Sequence, residues 1–202
     1  KYCKIITKIE NLSYELEKAV YISNTGRKGP VLLEIPDDLS RMQMPKKLRK
    51  FKVEKKVKRE SKLKIDRVVK MLERSKKPLL IIGNGVQSSK SLNDVKRLIK
   101  KIRIPYACTW ATAHNFLTTD KLNSGLFGVA ATRFGNFTLQ TAVLILFLGT
   151  RLSAQIVGSD LRQFAPKAKK ILIEIDRQEF TNHRLPKVDL KINCDVKDFL
   201  KK

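Results

Sequence analysis

A short glycine turn directly follows one apolar run of the sequence, and a turn of this kind can hold a phosphate group. Residues 79–82 are apolar, and Gly83, Asn84 and Gly85 come next, followed by two serines. Glycine has no side chain, so a ligand can approach its backbone, and a following helix N-terminus offers free N–H groups to an anion. Tight strand-to-helix turns also use glycine without any ligand, and the GxGxxG pattern is absent. Both interpretations therefore stay open.

Polar residues that could bind a nucleotide also follow the other apolar runs. Arg151 could pair with a phosphate, and Asp176 could accept a hydrogen bond from a ribose hydroxyl. Each has a structural alternative: Arg151 could form a surface ion pair, while Asp176, with Glu179 three residues later, could cap a helix. Asp195 could be another helix cap, and Trp110 could fill the edge of a core. The candidate positions, which together suit a nucleotide-containing cofactor, are Gly83, Gly85, Thr109, Trp110, Gly149, Thr150, Arg151, Glu174, Asp176 and Asp195.

The sequence contains no catalytic or metal-binding pattern. It has no nucleophile elbow, Walker P-loop or HExxH motif. His114 and His183 have no partner pattern around them, and the three cysteines, Cys3, Cys108 and Cys194, include no CxxC pair. An odd number of widely spaced cysteines favours reduced thiols in the cytoplasm. We therefore predict no catalytic residue and no metal site in this chain.

Strands that alternate with helices would position the candidate residues. Apolar residues recur at helical spacing between residues 65 and 72 and between residues 92 and 102, and a last helix is expected near Asp195. We expect a loop with short helical pieces over residues 110–140. Continuously apolar strands are typical of a parallel sheet with helices on both faces, whose carboxyl edge binds ligands. An α/β, Rossmann-like domain is thus predicted, with strands at residues 78–82, 104–109, 142–148, 170–176 and 188–193.

The first 45 residues are predicted to form part of another α/β domain, which precedes this one. A helix is expected over residues 12–23, with one apolar face, and a short buried strand over residues 31–35. One helix and one strand cannot bury a core, so these residues resemble the end of a domain whose body lies elsewhere. Residues 46–62 are predicted to be a basic linker on the surface, and residues 63–202 the Rossmann-like domain. The apolar face of the first helix consists of Leu12, Leu16, Ala19 and Val20.

The charge of the chain raises the question of a polyanionic partner. The chain has 43 basic and 19 acidic residues, a net charge of +24. Much of the excess lies in residues 41–77, where Phe51 is the single aromatic residue and most of the cations are lysines. Stacking of bases and bidentate base contacts therefore have little support there, so nucleic-acid binding is disfavoured. The longest apolar run, residues 142–149, is far shorter than the roughly 20 residues that cross a membrane.

The order of these segments resembles that of thiamine-diphosphate-dependent enzymes, and within them the acetolactate synthase (acetohydroxyacid synthase) large subunits. The stretch LEKAVYISNTGRKGPVLLEIPDDLSR is similar to the end of their pyrimidine-binding domain. The segments that follow in the order of their central domain are KKPLLIIGNGV, IPYACTW, NSGLFG, AVLILFLGTRLS, APKAKKILIEID and VDLKINCDVKDFL. The resemblance covers nearly the whole chain and is weakest in the linker.

The resemblance implies a central domain that holds FAD in a structural role, holds ADP, or is empty. It places cofactor contacts at the candidate positions above and adds Gly125, Leu126, Phe127 and Gly128. The chain departs from the FAD-binding pattern in TWATAHNF, in Phe127 where the synthases usually have histidine, and in Leu152 to Ala154 where acids are common. FAD, ADP and an empty site are therefore all compatible with the sequence.

The resemblance also implies what a full-length enzyme would do. It would decarboxylate a 2-keto acid such as pyruvate on thiamine diphosphate and Mg²⁺, and transfer the acyl group, in branched-chain amino acid biosynthesis and as a homo-oligomer. The activating glutamate would precede residue 1, and the diphosphate and Mg²⁺ ligands would follow residue 202, so the chain without those two domains is expected to be inactive. The alternatives are a stand-alone nucleotide-binding or interaction module and a basic nucleic-acid-binding protein.

Overall fold

The computed structural model describes residues 2–53 and 62–201 of the chain. Contacts along the backbone divide the chain into two compact units, residues 1–57 and 58–202. The predicted linker, residues 46–62, spans this division, and its residues 54–61 lie outside the described ones. The predicted domain boundaries at residues 45 and 63 therefore stay predictions.

The first unit contains two short parallel strands and two helices. They are strand β1 (Tyr2–Ile5), helix α1 (Leu12–Asn24), strand β2 (Val31–Glu34) and helix α2 (Asp37–Ser40). The strands pair in parallel, with Tyr2 opposite Val31, and a 3-10 turn at Ile9–Asn11 leads into α1. The helix predicted over residues 12–23 is confirmed, whereas β1 is a strand that the sequence pattern did not predict.

The apolar face predicted for α1 is only partly buried. Ala19 is buried, but the side chains of Leu16 and Val20 are 44% and 63% exposed. On β2, which contacts α1, residues alternate between half-buried and exposed, and Leu32 is 57% exposed. The predicted strand is present, but the prediction that it is buried is wrong for all four of its residues, because α1 packs against one face of a two-stranded sheet.

The chain after α2 returns to α1 at Phe51. The ring centroid of Phe51 lies 5.5 Å from that of Tyr14 and 5.4 Å from that of Tyr21. Its backbone N–H donates to a carboxylate oxygen of Glu17 at 2.7 Å, and the guanidinium of Arg49 lies 4.2 Å from the centroid of the Tyr14 ring. The first part of the predicted linker is therefore anchored to α1.

The second unit is built on a six-stranded parallel sheet. Its strands are β3 (Pro78–Ile82), β4 (Tyr106–Cys108), β5 (Asn123–Leu126), β6 (Leu144–Leu148), β7 (Lys169–Glu174) and β8 (Leu190–Asn193). Its helices are α3 (Lys62–Arg74), α4 (Asn84–Ser88), α5 (Leu92–Ile102), α6 (Arg133–Thr141), α7 (Ala154–Val157) and α8 (Val196–Leu200). The spatial order is β5-β4-β3-β6-β7-β8, with every neighbouring pair parallel. This is the strand order of a Rossmann fold, with its switch point between β3 and β6, and it confirms the predicted α/β class.

Successive residues of the central strands point into two separate cores. On β3, Leu80 and Ile82 pack on the face covered by α3, α5 and α8. Their neighbours Leu79 and Ile81 pack on the opposite face, with residues of α6 and α7. All four are at most 1% exposed, so the sheet is buried on both sides, as its continuously apolar strands predicted.

The loop with short helical pieces predicted over residues 110–140 is wrong at β5, which forms the edge strand of the sheet. The short helices at Ala113–Asn115 and at α6 agree with the prediction, and α6 packs against β5. Gly135 of α6 lies so close to β5 that a Cβ atom there would be 1.8 Å from the carbonyl oxygen of Leu126. Because this contact is between backbones, the apolar pattern of the side chains gives no sign of it.

A lysine is buried at the beginning of β7. Lys170 is 4% exposed, and its Nζ donates to the carbonyl oxygens of Ala165 at 2.7 Å and Ala168 at 3.0 Å. Burial lowers the pKa of this ammonium. The two hydrogen bonds tie the turn before β7 to the strand and compensate for the loss of water around the charge.

The helices in the described part of the chain are short. The longest, α1 and α3, have 13 residues each. Within residues 2–53 and 62–201, no helix has the length and apolar character needed to cross a membrane.

Candidate functional site

The fold brings the candidate residues to one edge of the sheet. All six strands run in the same direction, so the residues that follow them share the carboxyl edge. Gly83 and Gly85 follow β3, and Gly149 and Arg151 follow β6, on the two sides of the switch point. Ligands of open α/β sheets bind in the crevice at this point, so the position of these residues agrees with the sequence prediction.

The glycines at the switch point pack against one another. A Cβ atom on Gly83 would lie 2.3 Å from the carbonyl oxygen of Gly149, and one on Gly85 would lie 2.6 Å from the Cα of Gly149. Gly149 itself has a φ of +58°, a region that favours glycine. The space that the missing side chains leave is therefore filled by the neighbouring turn, and a ligand is not needed to explain these glycines.

The N–H groups of this turn are also engaged within the protein. The N–H of Gly83 donates to the carbonyl oxygen of Leu148, and that of Gly85 donates to the carbonyl oxygen of Gly149, both at 2.9 Å. The N–H of Val86 donates to Gly83 at 3.1 Å. The expectation of free N–H groups is thus wrong for these three residues.

Two threonines form a buried polar pair after β4. The N–H of Thr109 donates to the carbonyl oxygen of Ile82 at 3.0 Å. The hydroxyl of Thr112 donates to the same carbonyl at 3.0 Å and lies 3.3 Å from the hydroxyl of Thr109. Thr112 was missed from the sequence, although a second threonine three residues after Thr109 is a pattern typical of a turn. Between them, Trp110 is 73% exposed, so its ring does not fill the core.

The loop after β5 is held by an asparagine that the sequence analysis did not select. The side chain of Asn136 donates to the carbonyl oxygen of Gly128 and accepts from its N–H, both at 2.9 Å. Gly125 and Gly128 have φ values of +80° and +117°, which residues other than glycine rarely adopt. Leu126 is half-buried, and Phe127 is buried in the core of the α6 and α7 face. The side chain of Phe127 therefore faces the protein interior.

Arg151 forms an ion pair, as the structural alternative predicted. Its Nε lies 3.0 Å from a carboxylate oxygen of Glu179, whose side chain is 12% exposed, while the side chain of Arg151 is 55% exposed. The pair holds the guanidinium at the edge and leaves much of it in contact with solvent. The neighbouring Thr150 is buried, and its hydroxyl donates to Leu148 at 3.4 Å.

The acidic candidates cap local structure. Asp176 accepts from the N–H of Gln178 at 3.1 Å at the start of a 3-10 helix. Asp195 accepts from the N–H of Lys197 at 2.7 Å at the start of α8. Glu174 is buried and accepts from the N–H of Asp176 at 3.0 Å. Both predicted caps are present. In the predicted capping box, the side chain of Glu179 would accept from the N–H of Asp176, but in the structure Glu174 accepts this hydrogen bond.

Near this edge the structure places a buried thiol and two exposed imidazoles. Cys108 is 2% exposed, and burial raises the pKa of its thiol to about 12. A thiol that stays protonated at neutral pH is a poor nucleophile. His114 and His183 are exposed. Among the described residues, no group of three or more His, Cys, Asp or Glu side chains is placed to hold a metal ion.

The buried thiol gives a prediction about alkaline pH. The unfolded chain loses the thiol proton near pH 9.0, and the folded chain keeps it to about pH 12, so rising pH favours unfolding between these values. At about 1.4 kcal/mol per pKa unit, Cys108 lowers the free energy of unfolding by roughly 2 kcal/mol between about pH 9 and about pH 10.5. Denaturant titrations under reducing conditions at about pH 8 and about pH 10.5 measure this loss.

Cys108→Ala is the control for this prediction, because it removes the thiol. Its free energy of unfolding should fall by about 2 kcal/mol less over the same pH interval. Tyr106, whose pKa is raised by burial and by its hydrogen bond to Asp120, acts in the same direction as Cys108, and Lys170 acts in the opposite one. Both are present in the two proteins, and the charge of Cys108 is the smallest cause of the raised pKa of Tyr106, so their effects largely cancel in the comparison. Equal losses in the two proteins would contradict the role of Cys108.

Comparisons with known proteins give consistent results. A family model described as "Thiamine pyrophosphate enzyme, central domain" matches residues 65–202. The chain is 27% identical over 203 residues to acetolactate synthase 1, chloroplastic, of Nicotiana tabacum, covering 98% of this chain and 30% of that protein. It is 29% identical over 211 residues to the acetolactate synthase large subunit of Cyanidium caldarium, covering 100% of this chain and 35% of that one. A probable acetolactate synthase large subunit of Methanocaldococcus jannaschii is 28% identical over 204 residues, at 97% and 34% coverage. The chain thus spans about a third of the length of these relatives.

Proposed function

Since the chain belongs to the thiamine pyrophosphate enzyme central-domain family, we propose that it is part of an enzyme similar to the acetolactate synthases. The main support for this proposal is the extent of the similarity along the chain. The family match covers the second unit, and the similarity to acetolactate synthases extends over nearly the whole chain, so it includes the first unit. If the chain were a stand-alone nucleotide-binding module, similarity to the synthases would be expected in the second unit and not in the first.

In this proposal the whole protein releases CO₂ from a 2-keto acid such as pyruvate and transfers the remaining acyl group to a second 2-keto acid. Thiamine diphosphate, held with Mg²⁺, supplies the carbanion chemistry when it is bound. None of the residues of this chain matches the activating glutamate or the diphosphate ligands of the resemblance. The chain therefore contributes binding and positioning, with the pyrimidine and diphosphate domains as its partners in a homo-oligomer.

The activity is tested with the protein expressed from its natural gene, together with any further chain that the gene encodes. The purified protein is incubated with pyruvate, and acetolactate is measured with and without thiamine diphosphate and Mg²⁺. Formation of acetolactate that requires both additions is the expected result. If neither pyruvate nor another short 2-keto acid releases CO₂, the proposed activity is wrong.

We further propose that the carboxyl edge of the second unit binds an adenine nucleotide, ADP or the ADP part of FAD. The groups suited to it are the exposed ring of Trp110 and the half-exposed guanidinium of Arg151. An exposed aromatic ring can stack on a base, and a guanidinium can bind a phosphate in a bidentate manner. The turn at Gly83 would support this edge through its packing on Gly149 and would not itself hold the phosphate.

Arg151→Gln is expected to weaken binding of ADP or FAD by about tenfold to a hundredfold, because a hydrogen bond between a guanidinium and a phosphate contributes roughly 1.5–3 kcal/mol. Isothermal titration of the protein with each nucleotide measures the affinities. The variant also loses the ion pair to Glu179, so its folding is checked by its melting temperature.

Arg162→Gln is the matched control. Arg162 also lies 3.0 Å from an acidic partner, Asp160, but it precedes β7 and is not at the carboxyl edge. Its loss should change the affinity less than about twofold, since it removes the same charge from a remote position. Equal weakening by the two variants would remove Arg151 from the site. If neither nucleotide binds to the unaltered protein, the nucleotide part of the proposal fails, and the family relation is unaffected.

A further inference from the structure

The amino edge of the sheet in the second unit carries a groove that the proposed function does not use. It has a volume of about 390 Å³ and lies between α3 and the first residues of β6 and β7. The candidate nucleotide site is at the other end of the same strands. A volume of this size falls in the range of small-molecule sites in proteins.

Four cations line this groove. Arg67, Lys70 and Arg74 recur at helical spacing along one face of α3, and Lys169 is the first residue of β7. None of them forms an ion pair within the described part of the chain. Cations that converge on a concave surface raise its positive potential and attract anions.

A polar group in the lining has no partner. The hydroxyl oxygen of Ser75 is buried and makes no hydrogen bond to any described residue. Buried hydroxyls of folded proteins almost always have a partner, and leaving one unpaired is unfavourable. An oxygen atom of a bound anion would accept a hydrogen bond from it, so Ser75 points to a ligand independently of the cations.

The remaining lining is apolar. Met71 of α3 and Val143 and Leu144 at the start of β6 contribute it. A binding site with several positive charges, one hydroxyl donor and an apolar wall suits a small molecule with a multiply charged group and a less polar body. We propose that this groove binds a small organic phosphate, with its phosphate oxygens at the four cations and Ser75.

Inorganic pyrophosphate is the probe for this proposal, because it carries the charged part of such a ligand alone. The full chain is titrated with it at constant ionic strength, and saturable binding to one site is expected. The double variant Lys70→Gln, Lys169→Gln should weaken this binding about tenfold, since two cations of the groove are lost. The double variant Lys100→Gln, Lys101→Gln removes the same charge from the exposed end of α5 and should weaken it less than about twofold.

Ser75→Ala provides a second test. It leaves the charge of the groove unchanged, so a general effect of charge would not alter its affinity for pyrophosphate. The variant should bind pyrophosphate several-fold more weakly, while its melting temperature without the probe should not fall, because the hydroxyl has no partner to lose. A melting temperature that falls together with the affinity would indicate a structural role and contradict the proposal.

Three other results would overturn the proposal. They are an absence of saturable binding, equal weakening by the two lysine pairs, and loss of binding in Arg151→Gln, which would place the anion at the carboxyl edge. A single-stranded oligonucleotide that binds more tightly than pyrophosphate, and that both lysine pairs weaken equally, would indicate a broad basic surface in place of this groove.

Discussion

Replacing Gly135 by alanine is expected to lower the free energy of unfolding of the second unit by roughly 3 kcal/mol. The added Cβ would lie 1.8 Å from the carbonyl oxygen of Leu126 and 2.7 Å from its carbonyl carbon. These are backbone atoms of β5, which cannot rotate away as the end of a side chain can. Helix α6 must therefore move off the strand, and the packing of Leu139 and Ala142 behind it is disturbed.

The sign of this effect distinguishes packing from helix propensity. In an exposed helix interior, replacement of glycine by alanine stabilises a protein by about 1 kcal/mol. Gly158→Ala is the comparison: Gly158 has a φ of +80° and a ψ of −173°, with no atom within 4 Å of its Cβ position, so its cost of roughly 1–3 kcal/mol comes from the backbone conformation alone. Denaturant unfolding measures both variants, and an unchanged or raised free energy of unfolding for Gly135→Ala would disprove the contact.

Gly85→Ala is expected to destabilise the second unit by roughly 2–3 kcal/mol in the absence of any ligand. Its Cβ would lie 2.6 Å from the Cα of Gly149 and 2.8 Å from the carbonyl oxygen of Gly149. Two turns of backbone at the switch point would have to separate, and the hydrogen bond from Gly85 to Gly149 would be lost with them.

This result separates two explanations of the same glycine. If Gly85 served only to let a phosphate approach, its replacement would abolish nucleotide binding and leave the stability of the ligand-free protein unchanged. Asn84→Ala, at the exposed neighbouring position, is the control and should change the free energy of unfolding by less than about 0.5 kcal/mol. Unfolding curves of Gly85→Ala that coincide with those of the unaltered protein would favour the phosphate-cradle explanation.

The sheet of the second unit could be predicted because most of its strands are apolar on both faces. All five predicted runs overlap strands of the sheet, and β4, β6 and β8 each begin two residues later than predicted. β5 was missed because Asn123, Ser124 and Gly125 have low strand propensity, and an edge strand needs little apolar surface. The bounds of α6 could not be predicted because its glycine and its exposed Phe134 interrupt the apolar periodicity.

The location of the candidate residues at one edge of the sheet could be predicted from the sequence, but the contacts between them could not. Parallel strands place their carboxyl ends at one edge whatever the side chains are, so the position of Arg151 and Asp176 follows from the fold. The interlocked turns of Gly85 and Gly149 and the bonds from Asn136 to Gly128 join residues distant in sequence through backbone atoms. No periodicity of side chains records such contacts.

The reaction of the buried amine of Lys170 with a chemical reagent can report when the surrounding structure opens. The chain has 43 lysines and arginines, and an exposed lysine reacts readily with an acylating reagent. Lys170 is enclosed, and its amine donates hydrogen bonds to Ala165 and Ala168, so acylation there must wait until the turn before β7 opens. Mass spectrometry of the peptide that contains Lys170 would therefore time the opening of this turn after the exposed amines have been consumed.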